Sequence, residues 1–366
     1  MLIHLIAAAR PNFMKIAPLY HELKNDKDIE VKIIHTGQHY DRNMFSDIFK
    51  DLKLPSPDVS LGIGGGTHAY QVGTLMIEYE KLCLKQRPDL VIVVGDVNAT
   101  MACAVTAKKL HIEVAHLEAG LRSFDMKMPE EINRIVTDSI SDYFWTPSVD
   151  GNENLVRSGI DPKKIEFVGN IMIDSLEMMR DAIEKEKITE NLSLKKGDFV
   201  LVTFHRPSNV DDKDKLESIV RELVNLSEKI KIVFPIHPRT EQNLKKFKLF
   251  SLLEEAENIV IKEPLSYKQF MKLVFDCKFV LTDSGGIQEE TTYLKIPCLT
   301  FRDNTERPVT VTKGTNTLVN LSNLRENIQK IMKGEYKSGE IPLLWDGKTA
   351  LRVHKEIRKI LKTKAF

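Results

Sequence analysis

Six stretches of this sequence place charged or imidazole side chains directly after a short apolar run. Leu2–Ala8 runs into Arg10-Pro11-Asn12 and Lys15, Leu90–Val94 into Gly95-Asp96, and Val114–Leu117 into Glu118-Ala119-Gly120-Leu121-Arg122. In the second half, Phe199–Phe204 ends in His205-Arg206, Lys231–Ile236 in His237-Pro238-Arg239, and Phe279–Leu281 in Thr282-Asp283-Ser284-Gly285-Gly286. A lone Asp at such a place reads first as a helix cap. Six sets of cations and carboxylates at one edge read differently: the cations suit an anion and the carboxylates suit proton transfer.

Ser284-Gly285-Gly286 has the composition of a phosphate cradle. Two glycines let the backbone approach an anion, and the free amides of a helix start point toward it. An ordinary tight turn has the same residues, but Glu290, one turn on, suits ribose hydroxyls and tilts the reading toward a nucleotide. Gly62-Ile63-Gly64-Gly65-Gly66-Thr67 is not a dinucleotide fingerprint, which needs a strand just before it and glycine where Thr67 stands; it is expected as a loop near the cleft. No G-x-x-x-x-G-K-[ST] occurs either. Pro129-Glu130-Glu131 opens a helix, where acidic residues suit the dipole without any further role. Arg302 to Pro308 is a charged loop expected to close over the cradle.

These residues need a frame that brings strand ends together. Apolar runs alternate with amphipathic stretches through both halves, the pattern of parallel sheets flanked by helices. The expectation is α/β, two doubly wound domains in series facing a cleft, with ligands beyond the carboxyl ends of the strands. A charged stretch, residues 175–190, and the polar 191–197 read as the hinge. The chain has 366 residues, 42% of them hydrophobic and 29% charged, and a net charge of +1 from 53 basic and 52 acidic side chains. That balance argues against a dedicated nucleic-acid or membrane-surface binder. The four cysteines, Cys83, Cys103, Cys277 and Cys298, form no metal or disulfide framework and read as buried thiols of a cytoplasmic protein. The apolar start lacks a basic leader and reads as a buried strand. No run approaches the ~20 residues that span a bilayer.

In order, Arg10-Pro-Asn-Phe-Met-Lys15, Thr36-Gly-Gln-His39, Gly95-Asp96, His116-Leu-Glu-Ala-Gly-Leu-Arg122 and Pro129-Glu-Glu-Ile-Asn-Arg134 resemble the non-hydrolysing UDP-N-acetylglucosamine 2-epimerases. Thr203-Phe-His-Arg206, Asp283-Ser-Gly-Gly-Ile-Gln-Glu-Glu290 and Thr305-Glu-Arg-Pro308 extend the resemblance over nearly the whole chain. It implies the GT-B fold, with residues 1–170 plus 353–366 as one Rossmann-like domain and 171–352 as the UDP-binding one. It implies interconversion of UDP-GlcNAc and UDP-ManNAc by elimination of UDP to 2-acetamidoglucal and re-addition, without metal or cofactor. Asp96, Glu118, Glu130 and His205 are then the catalytic residues. Arg10, Lys15, Phe270, Ser284, Gly285, Gly286 and Glu290 bind the UDP-sugar, Phe270 by stacking on uracil and Glu290 at the ribose.

The resemblance also implies a homodimer and a second, activating UDP-GlcNAc site at Gln38, His39, Arg206 and His237. The chain departs from the family where His205-Arg206-Pro207-Ser208-Asn209 replaces H-R-x-E-N, and in a shorter segment before Pro129; both changes touch the second site. A hydrolysing epimerase and a glycosyltransferase with the same donor are the competing readings.

Overall fold

Leu90–Val94, five apolar residues in succession, is buried along its whole length, as a parallel strand covered on both faces must be. The same physics sets the centre of both sheets. The structure, a computed structural model, describes residues 1–37 and 49–364. The chain divides into one unit of Met1–Met178 with the segment from Leu343 onward, and a second of Met179–Pro342.

The first unit contains β1 (Leu2–Ala7), β2 (Glu30–Gly37), β3 (Val59–Ile63), β4 (Leu90–Val94), β5 (Glu113–Leu117), β6 (Tyr143–Thr146) and β7 (Ile165–Phe167). Their order is β3-β2-β1-β4-β5-β6-β7, all parallel. The second contains β8 (Phe199–Thr203), β9 (Lys231–Pro235), β10 (Ile259–Lys262), β11 (Phe279–Thr282), β12 (Cys298–Phe301) and β13 (Asn316–Val319), in the parallel order β10-β9-β8-β11-β12-β13. Each sheet is doubly wound and reverses its winding between two central strands, β1 and β4 in one, β8 and β11 in the other. These switch points are where ligands bind in such sheets.

β3 and β13 escape the apolar-run reading because they are edge strands. β3 alternates partly buried and exposed residues and contains Gly62, and β13 begins with a buried Asn316. β3 also supplies the strand whose absence helped to exclude a dinucleotide fingerprint; that half of the exclusion is corrected. Thr67 remains as the other half, and its hydroxyl caps the helix His68–Lys85 by accepting from the Tyr70 amide at 3.3 Å. Between β9 and β10 the chain forms two helices, Pro238–Lys246 and Phe250–Glu254, with Lys248 left-handed between them.

The first passage between units falls inside the helix Ile171–Glu184, within the charged stretch 175–190 and ahead of the polar 191–197. The early turns of that helix belong to the first unit because Ser175 is buried there and donates to the Met14 carbonyl. The return begins at Leu343, ahead of 353. Trp345 is buried, its indole N–H donating to the Pro147 carbonyl at 2.9 Å, and Asp174 caps the last helix by accepting from the Thr349 and Ala350 amides at 3.1 and 2.8 Å. That helix, Thr349–Lys364, docks on Arg10–Leu23 through His354, whose ring nitrogens lie 2.9 Å from Glu22 and 2.7 Å from Asp26. All four cysteines are free and buried. Among the described residues, no helix is long and apolar enough to cross a membrane.

Candidate active site

In the first unit the chemistry gathers at the β1–β4 switch. β4 ends at Val94 and is followed by Gly95, in the left-handed region at φ +70°, where a side chain would be strained. A β-carbon there would also stand 3.0 Å from Lys15 Nζ and 3.3 Å from Glu118 Oε2. Glycine therefore makes room for a buried ion pair between Lys15, on the helix after β1, and Glu118, at the end of β5. Asn12 joins the same strand ends, its side-chain amide donating to the Val94 carbonyl at 3.1 Å. Glu118 itself is left-handed at φ +72°, a costly conformation for a non-glycine residue that is concentrated at functional sites. Among the described residues its Oε1 has no hydrogen-bond partner, though it is buried.

Asp96 follows Gly95 and is half-exposed, its carboxylate 2.5 Å from Arg134 Nη1. Arg134 lies on the helix Pro129–Ile140, which also carries two adjacent acids. Their roles separate cleanly. Glu131 is buried and accepts from the Ser123 and Phe124 amides at 2.9 and 3.0 Å, from the Ser123 hydroxyl, and from Arg134 at 2.7 Å. Burial alone raises its pKa, but those amides and the guanidinium outweigh it and hold the group below the usual carboxylate range. Glu131 is thus a structural anion, and Glu130 faces a pocket of about 390 Å³ together with Asp96, Asn98, Asn133, His68 and Gln71. Gly64 and Gly65 line that pocket too, so the glycine-rich loop does stand beside candidate site residues. Arg10 opens the helix after β1. Gln38 and His39 lie outside the described residues.

The second unit repeats the geometry with different chemistry. Asp283, fully buried at the end of β11, accepts from the His205 amide at 3.0 Å, the Arg206 amide at 2.9 Å and the Asn209 side chain at 3.2 Å, and stands 2.9 Å from His205 Nδ1. Burial opposes its charge, yet the His205 ring and these donors keep its pKa below the ordinary value. His205 is thereby fixed with Nε2 as its other reactive atom. His237, exposed, has its ring centroid 5.6 Å from that of His205; partial burial and the neighbouring ring lower its pKa. Arg206 donates from Nε to the Asp283 carbonyl at 3.3 Å.

Ser284, Gly285 and Gly286 turn from β11 into the helix Gly285–Leu294. The two glycines serve different ends. A β-carbon on Gly285 would lie 2.6 Å from Glu306 Oε1 and 3.1 Å from Arg307 Nη1, so the charged loop after β12 presses against the cradle as expected. A β-carbon on Gly286 would meet nothing within 4 Å. Its openness is what a site for close anion approach requires. Glu290, buried on the same helix, accepts from the Tyr267 hydroxyl at 2.6 Å. Tyr267 and half-buried Phe270 share the helix Tyr267–Asp276, started by a Ser266–Gln269 capping box. Among the described residues no group of three metal-ligating side chains converges.

Sequence reasoning named Arg134 and His116 within motifs but gave them no role, and it passed over Tyr267 and Asp138. Arg134 was within reach: it lies four residues after Glu130 and three after Glu131, on the same helical face.

The sequence profile described as UDP-N-acetylglucosamine 2-epimerase matches residues 21–358. This chain belongs to that family. It is 45% identical over 339 residues to the UDP-N-acetylglucosamine 2-epimerase of Methanocaldococcus jannaschii, covering 91% of both chains. The crystal structure of the M. jannaschii UDP-GlcNAc 2-epimerase in complex with UDP-GlcNAc and UDP is similar to it with a TM-score of 0.89 at 42% identity, covering 98% of this chain and all of that one. The UDP-2,3-diacetamido-2,3-dideoxy-D-glucuronate 2-epimerase of Pseudomonas aeruginosa is 40% identical over 318 residues, 86% of this chain and 87% of that protein. The two doubly wound sheets agree with the GT-B fold of this epimerase family.

Proposed function

We propose that this chain interconverts UDP-GlcNAc and UDP-ManNAc. The proton on sugar C2 is not adjacent to a carbonyl, so an enolate route is closed. A base takes that proton while the C1–O bond to UDP breaks, which leaves 2-acetamidoglucal and bound UDP. Protonation of C2 on the opposite face and return of the UDP oxygen to C1 gives the epimer. Asp96, Glu118 and Glu130 carry the proton transfers and the transition-state charge, and Lys15 balances Glu118 beside the reacting sugar. His205, fixed by Asp283, stabilises the departing diphosphate. Arg10 and Ser284-Gly285-Gly286 retain UDP, Glu290 takes the ribose and Phe270 stacks on uracil.

The observation that carries this reading is the buried Lys15–Glu118 pair packed against Gly95, next to Asp96, in a chain 45% identical to a UDP-N-acetylglucosamine 2-epimerase. A pure binder of UDP-sugars has no need of such a group at a strained strand end. The P. aeruginosa relative favours a second reading, a UDP-sugar carrying a 3-acetamido group and a carboxylate at C6. Proton NMR of purified protein with each UDP-sugar separates them. The expected result is a mixture of UDP-GlcNAc and UDP-ManNAc, with free UDP and free ManNAc staying at trace levels. Stoichiometric UDP with ManNAc would establish the hydrolysing reaction instead, and turnover confined to the diacetamido uronate would establish the second substrate.

The exposed apolar side chains of Phe124, Met126, Ile132 and Ile135 on the first unit support a homodimer, which light scattering measures directly. The second, activating UDP-GlcNAc site stays a proposal carried over from the family resemblance to Gln38, His39, Arg206 and His237. Sigmoidal dependence of rate on UDP-GlcNAc would express it, and hyperbolic kinetics would remove it.

A further inference from the structure

Behind the proposed carboxylates of the first unit lies a buried pair that the reaction itself does not use. His116, fully buried on β5, has Nδ1 2.6 Å from Asp138 Oδ1 and Nε2 2.8 Å from the Gly95 carbonyl oxygen. Both ring nitrogens thus face an oxygen acceptor, which fixes the ring between the carboxylate and the strand-end carbonyl. Asp138, equally buried on the helix Pro129–Ile140, uses its second oxygen to accept from the Gly120 amide at 3.1 Å and from Arg122 at 2.5 Å. Burial opposes its charge, but His116 and Arg122 together hold its pKa below the usual range.

The two ends of this bridge fall on special backbone. Gly95 immediately precedes Asp96, and Gly120 comes two residues after Glu118. Gly95, Glu118 and Gly120 all lie in the left-handed region, at φ +70°, +72° and +81°. The two glycines take that conformation readily, whereas Glu118 holds it only because surrounding contacts over-determine it. On the Glu118 side, the Trp145 carbonyl accepts from the Glu118 and Ala119 amides at 3.0 and 3.1 Å, and Asp138 fastens Gly120 just beyond. On the Asp96 side, His116 fastens the Gly95 carbonyl. One carboxylate and one ring therefore join the backbone that aims Asp96 to the backbone that aims Glu118.

We infer that His116 and Asp138 are positioning residues for the C2 proton transfers, setting the separation of Asp96 and Glu118 without touching substrate. The inference rests on the proposed epimerase reading. Misplacing an acid–base group by about an ångström costs on the order of 100-fold in rate. A strut shared by two such groups also sets their balance, because removal and return of the C2 proton fall to different carboxylates.

His116→Gln, His116→Asn and Asp138→Asn test this in the full-length protein in heavy water. Three quantities are read: kcat, UDP affinity by calorimetry, and the ratio of deuterium entering C2 of UDP-GlcNAc to formation of UDP-ManNAc. The expected result is kcat lower by about 10- to 100-fold, UDP affinity within about twofold, and a changed exchange-to-epimerisation ratio. The double variant His116→Gln/Asp138→Asn should cost no more than the worse single, as members of one network behave. A purely structural role would lower the folded fraction and leave the ratio per folded molecule unchanged; that result, or wild-type kcat, overturns the inference. If a variant fails to fold, the remaining two carry the test, since His116→Asn keeps a donor toward Asp138 and His116→Gln one toward Gly95. Absence of C2 exchange in the wild-type protein would defeat the epimerase reading itself, a different outcome.

Discussion

The two switch points share a topology and differ in what they offer. At β1–β4 the strand ends carry side-chain charge: Lys15 against Glu118, Arg134 against Asp96, and Glu130 facing the pocket. At β8–β11 they carry a fixed His205–Asp283 pair and an open turn at Gly286. Carboxylates at defined positions move protons, and backbone amides at a helix start hold an anion. On the proposed reading, one winding rule used twice in a chain serves two halves of a reaction: chemistry at C2 in the first unit, and retention of the leaving group mainly in the second, with Arg10 of the first unit assisting.

The largest effect that would break this division is at Asp96. Asp96→Asn keeps the shape and removes one of the proposed acid–base carboxylates, so turnover should fall by about 10²- to 10⁴-fold, while UDP affinity, assigned mainly to the second unit on the proposed reading, stays within about threefold. Loss of both together in calorimetry and rate assays would show that the halves are not separate.

Gly286→Ala probes the other side. The added methyl meets no atom of the chain, and alanine is the better helix former by up to about 1 kcal/mol, so the melting temperature should hold or rise. UDP affinity should fall by about 10-fold, or ~1.4 kcal/mol, because the methyl occupies the approach of the diphosphate. Unchanged affinity would move the phosphate away from Gly286. Tyr267→Phe sharpens the same half with a smaller effect. Loss of its hydrogen bond to Glu290 costs about 1 kcal/mol, a few-fold in UDP affinity, with kcat at saturation nearly intact.

Acid should separate the units as well. Burial pushes Asp174, which caps the C-terminal helix of the first unit, up to about 6. A carboxyl whose folded pKa is raised adds stability that is complete below its unfolded value and is lost as pH rises through the folded one. Asp283 in the second unit is shifted the other way, so its contribution is present above the unfolded value and disappears only as pH falls through its lowered folded one. From pH 7 to pH 5 protonation of Asp174 removes the cost of its buried charge and stabilises the folded chain, while the Asp283 contribution is unaffected. Urea unfolding should show wild type gaining about 1 kcal/mol on Asp174→Asn over that interval. A constant difference between the two would mean that Asp174 does not titrate there.

Much of this was legible in the residues. Central strands buried on both faces cannot hide, and β4 and β12 have the bounds that their apolar runs mark. Edge strands can: β3 and β13 mix polar residues and glycine because one side needs no cover. The charged residues at strand ends were visible as candidates, but their division of labour was not. Glu130 and Glu131 are equivalent in sequence, and only the fold shows that the loop amides of Ser123 and Phe124 take Glu131. The link from Asp138 to Gly120 and, through His116, to Gly95 is likewise invisible, since it depends on which helix face packs behind β5.

The most direct test of the account is NMR of UDP-GlcNAc incubated with the protein in heavy water. A retained nucleotide and a hydrogen exchanged at C2 predict deuterium at C2 of UDP-ManNAc and its gradual appearance in the remaining UDP-GlcNAc, with the C1–UDP linkage intact in both. UDP-ManNAc that forms with the original hydrogen at C2 would contradict it.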